Sequence, residues 1–134
     1  AWRWFDVSIN LYRSGQAIVK GLSYDVLSVD AKSGRLVTRN VQVDEVWVKA
    51  TGETATVPIA GSVLPADDKG GIFYATDDDV VFKLFMTAAK SEQMFVGVRR
   101  KGEKTTRLYA GEVALADSDR QRLLACLSEL TKGK

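Results

Sequence analysis

From Phe5 to Leu11 the chain alternates without a fault. Phe5, Val7, Ile9 and Leu11 fall on one side, and Trp4, Asp6, Ser8 and Asn10 on the other. Successive side chains of a strand point to opposite faces, so this pattern specifies a half-buried strand. Ser14-Gly15-Gln16 then turns the chain, since glycine tolerates the positive φ of a tight turn. Ala17 to Lys20 reads as a returning strand.

The same grammar continues. "YDVLSVDAKSGRLVTRNVQVDEVWV" predicts a hairpin, with Asp30-Ala31-Lys32-Ser33-Gly34 as the turn cluster between β-rich runs. Val41, Val43, Val46 and Val48 supply buried positions beyond it, and Asp44-Glu45 breaks the alternation, as a bulge would. Residues 61–71, "GSVLPADDKGG", form a loop, and Ile72 to Tyr74 is a short apolar run. Thr76-Asp77-Asp78-Asp79 reads as another turn. After it, Val80, Phe82, Leu84 and Met86 are expected along one face of a strand, and Met94, Val96 and Val98 along one face of the next. A polar turn around Gly102 leads to a last strand over residues 105–113.

One segment reads as a helix. In "ADSDRQRLLACLSELTKGK", Ser118 with Gln121 three residues on makes a capping box, and Asp117 and Asp119 sit at the positive end of the helix dipole. Leu123, Leu124, Leu127 and Leu130 form an apolar stripe, and Lys132-Gly133 is a stop. The expected fold is therefore mainly β. It is one domain, residues 1–134, whose antiparallel sheet is sandwich or barrel-like, with a C-terminal helix over about 118–131 packed on it.

Composition bounds the function. A chain of 134 residues makes one domain with a core. A net charge of +2 is too small to imply nucleic acid or an anionic membrane as partner, and no apolar run approaches the roughly 18 residues of a membrane helix. The chain begins at Ala1, which fits either trimming or a removed export leader. The reading carried forward is export to the periplasm. The single cysteine, Cys126, cannot form an internal disulfide and reads as a small buried apolar residue near the leucine stripe.

Chemistry-bearing patterns are scarce. With no histidine there is no Ser-His-Asp or Cys-His constellation and the commonest metal ligand is missing. Asp77-Asp78-Asp79 lacks the alternate ligands, central glycine and closing glutamate of an EF-hand loop, so it reads as a solvated turn, as do Asp67 and Asp68. Gly70-Gly71 leads into strand-like "IFYA" and so is not a phosphate loop. "RRKGEKTTR" is locally basic, and charge there protects edge strands. Trp2 and Trp4 read as core or edge anchors. The expectation is a protein with no catalytic residue, metal or cofactor.

Binding remains. The tip Lys90-Ser91-Glu92-Gln93, between two strand-like runs, can donate and accept hydrogen bonds. A tip held by a rigid two-strand arm loses little entropy on docking. The exposed loop around Asp67, Asp68 and Lys69 is the second candidate contact. In outline, the start "AWRWFDVSINLYRSG", the arm "VVFKLFMTAAKSEQMFVGV" and the closing helix "SDRQRLLACLSEL" make the chain resemble small periplasmic immunity proteins that neutralise type VI secretion effectors attacking peptidoglycan. That resemblance implies an inert inhibitor forming a heterodimer with a secreted cell-wall amidase, its hairpin tip occluding the active site. The alternative is an envelope ligand-binding domain holding a lipid or peptide. A cavity of a few hundred Å³ separates the two readings.

Overall fold

A computed structural model describes residues 2–66, 69–90, 93–112 and 117–131. The opening alternation is a strand, β1 (Trp2–Leu11), whose odd-numbered residues are half-buried and even-numbered ones exposed. The turn at Gly15 (φ 86°) sends the chain back along β2 (Ala17–Val29), in register from Leu11 opposite Ala17 to Trp2 opposite Val26. β2 is far longer than the predicted return strand and organises the first sheet. One edge carries β1. The other carries β6 (Ile72–Thr76) along Ala17–Gly21 and β3 (Leu36–Val41) along the far half. A two-residue strand, β5 (Leu64–Pro65), lies outside β6.

The predicted turn at Asp30 forms as expected. The Asp30 carboxylate accepts the backbone N–H of Lys32 at 2.8 Å and of Ser33 at 3.2 Å, and the Gly34 N–H reaches the Asp30 carbonyl. Past Val41 the chain crosses to a second sheet of β4 (Val43–Ala50), β7 (Gln93–Arg100) and β8 (Arg107–Glu112), in the order β4-β7-β8. The register slips between Val43 and Glu45, where Asp44-Glu45 broke the alternation. The two sheets remain separate and pack face to face, so the barrel-like option gives way to an open sandwich.

Val19, Val43, Val46, Tyr74 and Val98 fill the space between the sheets. Gly21 marks their closest approach: a Cβ there would meet Val46 Cγ1 at 2.6 Å. The buried Tyr74 hydroxyl donates to the Val46 carbonyl at 2.6 Å and lies 3.1 Å from Thr56 Oγ1, so its polar atom is satisfied. Burial holds this phenol above its ordinary range. Arg100, 6% exposed, clamps the sheets. It donates to Asp25 at 2.7 Å, to Ser23 Oγ at 2.8 Å and to the Tyr24 carbonyl at 3.1 Å. Asp25 also accepts Arg39, and these guanidinium bonds, Arg100's foremost, hold its carboxyl below the usual range.

The strand predicted over residues 80–86 is a helix, α1 (Asp78–Ala89). The three aspartates mark its start: Asp77 caps it, accepting the Asp79 N–H at 2.8 Å, and Asp78 and Asp79 favour the first turn electrostatically. Of its buried residues, Val81, Leu84, Thr87 and Ala89, the first three recur every third position, a helical spacing. There is therefore no two-strand arm over 80–98, and the tip at 90–93 joins a helix to a strand. α1 packs against β1, β4 and β7, with Leu84 joining Val48 and Ala50 in a second cluster.

The C-terminal helix, α2 (Asp117–Thr131), is present and packs on α1. Ser118 falls inside its first turn instead of capping it. Leu127 is buried, Leu123 half-buried and Leu124 exposed, so the stripe is narrower than expected; the side chain of Leu130 lies outside the described residues. Cys126 is exposed, not the buried apolar residue expected from the stripe. Trp2 and Trp4 stand on the outer face of edge strand β1, 69% and 46% exposed, and Trp4 stacks on Tyr24.

Candidate functional site

The inward residues of both sheets extend past the filled part of the core. On sheet two, Val48, Val96 and Tyr109 stand in one row across β4, β7 and β8, and Ala50, Met94 and Gly111 in the next. On sheet one, Phe5, Val7 and Ile9 face them from β1. Between β1 and β8, each an edge strand among the described residues, the sheets do not meet completely. The gap is a groove of about 360 Å³, lined by Phe5, Val7, Ile9, Val48, Met94, Val96, Tyr109, Ala110 and Gly111. The Phe5 and Tyr109 rings approach to 4.6 Å and mark one end of it.

Its lining is almost wholly apolar. No carboxylate, amide, hydroxyl nucleophile or cation is among the lining residues apart from the Tyr109 phenol. Such a surface can exclude water and hold apolar atoms, and the Tyr109 phenol is the one polar side-chain group in its lining. A volume of about 360 Å³ lies at the small end of the roughly 300–1,000 Å³ of typical ligand pockets. Gly111 leaves the wall open: a Cβ built there meets no atom within 4 Å.

The sequence-predicted contacts lie elsewhere and apart. Lys90 is the exposed C-cap of α1, its N–H bonded to the Met86 and Thr87 carbonyls. Gln93 opens β7, exposed, its carbonyl accepting the Thr51 hydroxyl at 3.2 Å. Ser91 and Glu92, like Asp67 and Asp68, fall outside the described residues. Lys69 is exposed beside Gly70, whose carbonyl accepts the Val43 N–H. Val43 pairs with Arg100, seven residues along β7 from Gln93, so Gln93 lies about 23 Å along the strand from the end of sheet two that meets Gly70.

Two other charged features resolve locally. In the basic hairpin, Arg107 and Arg3 both reach Glu103, and Arg99 lies near Asp44 and Glu45. A backbone bond from Arg100, with Arg3 and Arg107 beside it, holds the Glu103 carboxyl below its usual range. Asp77, Asp78 and Asp79 bring carboxylate oxygens within 4.8 Å of one another at the start of α1, on the wall of a separate surface cleft of about 560 Å³.

The groove residues were visible in the sequence only as core positions. Alternation says which side chains turn inward; it does not say that the facing sheet stops short of covering them. No protein-family model, curated protein or solved structure matches the chain.

Proposed function

We infer that the protein is a non-catalytic binding domain that holds a short apolar chain, an acyl tail being the simplest example, in the groove between β1 and β8. The observation that carries this reading is the groove itself: a pocket-sized gap whose walls offer only hydrocarbon and one phenol. Closing it over a hydrocarbon removes apolar surface from water at about 25 cal/mol per Å².

Gly111 supplies the test. Gly111→Phe places a ring in the open groove without displacing a neighbour, since nothing lies within 4 Å of its Cβ position. Decanoate is titrated into the wild type and the variant, followed by native mass spectrometry and thermal melting. The wild type is expected to bind and melt higher, and the variant to do neither. A wild type that ignores decanoate, or a variant that binds it equally, sinks the reading.

Inhibition of a secreted cell-wall amidase is the second reading. It draws on exposed apolar groups before β6, where Val63 and Leu64 are about half exposed. Exposed apolar groups on a loop suit a protein partner. Failure of the pure protein to slow amidase digestion of peptidoglycan counts against it.

A further inference from the structure

We propose that two copies of this chain form an antiparallel two-fold dimer in which the β2–β3 hairpin arm of each seats in the acidic cleft at the start of α1 of the other. The proposal is independent of the groove.

The arm is the longest uncovered run among the described residues. β1 pairs β2 only as far as Val26, and β6 only as far as Gly21. Beyond them β2 and β3 continue as a two-stranded ribbon, and every residue from 27 to 40 is exposed. A lone ribbon is marginal in water. This one is held at its tip by the Asp30 turn and at its root by Arg100 and Arg39 on Asp25. It is ordered in advance of any partner, which lowers the entropy lost on docking.

Its chemistry is two-sided. Val29 pairs with Leu36 and so shares one face with it. Val37, the neighbour of Leu36, points to the other face, beside Ser28. All three apolar side chains are about half exposed. An element that lies on a lipid surface presents one apolar face; a ribbon apolar on both suits a slot. The arm also carries Lys32, Arg35 and Arg39 against a single carboxylate, Asp30. Lys32 and Arg35, at the tip, make no ion pair among the described residues.

The matching slot is on the same chain. The cleft of about 560 Å³ is lined by Asp77, Asp78 and Asp79 together with Ile59, Gln16 and Ala17. Ile59 is 54% exposed. Three carboxylates with oxygens within 4.8 Å repel one another, and a docked cation relieves that repulsion. Apolar and basic on the arm meet apolar and acidic in the cleft.

Placement closes the symmetry. Ala17 at the cleft begins β2, and Val29 in the arm ends it, about 40 Å away. Two chains laid antiparallel bring each arm to the other's cleft. The contact is made twice and the assembly closes, whereas a parallel arrangement would leave an unused arm and cleft to propagate.

The test is sedimentation velocity on the full chain. The wild type should be dimeric at low salt, with affinity falling at least about tenfold at molar salt, where exposed charges more than about 3 Å apart are screened. Lys32→Glu with Arg35→Glu should be monomeric; both positions lie in an exposed turn, so folding is untouched. Asp78→Lys with Asp79→Lys, which keeps the Asp77 cap and turns the three-carboxylate cleft basic, should also be monomeric. An equimolar mixture of the two variants should dimerise again, because each arm then meets a cleft of opposite charge. A wild type monomeric at all concentrations overturns the proposal, as does an arm variant that dimerises like the wild type. If the double cleft variant fails to fold, the arm variant still decides. If it folds and the mixture stays monomeric, the cleft is wrongly assigned and the proposal fails.

Discussion

Arg100 is the place to test whether the two sheets are held as described. Arg100→Met keeps most of the side chain's length and apolar stem but removes three donors at once. The side chains of Arg100 and Asp25 are 7% and 14% exposed, so their 2.7 Å pair is largely desolvated. Removing one partner of a buried pair costs about 3–5 kcal/mol because the other charge is left stranded. Asp25 keeps Arg39 at 3.0 Å, which places this case at the lower end, about 3 kcal/mol. At about 4 °C per kcal/mol for a domain of this size, the melting point should fall by about 12 °C. Urea unfolding gives the free energy directly, and a cycle with Asp25→Asn separates the pair from the packing. The double variant should lose less than the two singles together, by at least about 1 kcal/mol. Hydrogen exchange should quicken along residues 27–40, since the arm loses its root. A cost below about 0.5 kcal/mol, or strict additivity in the cycle, would refute the clamp.

Two further effects follow from the same packing. Gly21→Ala should cost about 1–3 kcal/mol by urea unfolding, because its methyl group meets Val46 at 2.6 Å and the sheets must separate; Gly111→Ala, with an open Cβ position, is the control and should cost under about 1 kcal/mol. Acid should weaken the fold through Asp25 and Glu103, whose carboxyls lie below their ordinary values of 3.8 and 4.5. A depressed carboxyl stabilises above its unfolded value and loses that contribution as pH falls through its folded value, so the urea midpoint should hold from pH 7 to about 5 and drop below about 4. A midpoint unchanged at pH 3 would contradict this, and Asp25→Asn should flatten the drop.

Much of the fold was legible because strands announce themselves locally. The alternation of Phe5 to Leu11, the turn at Asp30 and the interruption at Asp44-Glu45 each depend on residues within a few positions, and each forms as read. The length of β2 was not legible. Its inward residues run Ala17, Val19, Gly21 and Ser23, and the last two look like turn residues when read alone. They are small because Val46 and Arg100 come in from the other sheet and leave no room, a fact about tertiary contact. Arg100 read as one more charge in a basic hairpin, since nothing in "RRKGEKTTR" distinguishes the buried cation from its exposed neighbours. The exposure of Cys126 was hidden for a similar reason: a helix stripe gives the buried face, but the width of the neighbour decides which residues beside it are covered.

The misread helix moved the site as well as an element. Val80, Phe82, Leu84 and Met86 alternate like a strand, but Val81, Leu84 and Thr87 also lie three apart, and Asp77 stands where an N-cap would. Both periods fit; the cap decides between them, because a strand has no use for a carboxylate that accepts the N–H two residues on. Read as a strand, the segment would pair with β7, and its far end would be a protruding tip at 90–93. As a helix it takes no part in the sheet ladder. Its Leu84 instead packs with Val48 and Ala50, while the space between Phe5, Val7 and Ile9 of β1 and Tyr109 to Gly111 of β8 is left open. An antiparallel sheet can face water on one side, and here the two facing sheets bury only part of their inward rows. The same change of period that replaces the predicted two-strand arm with a helix leaves the groove open. It also sets three carboxylates at one end of β2, opposite the basic arm at the other.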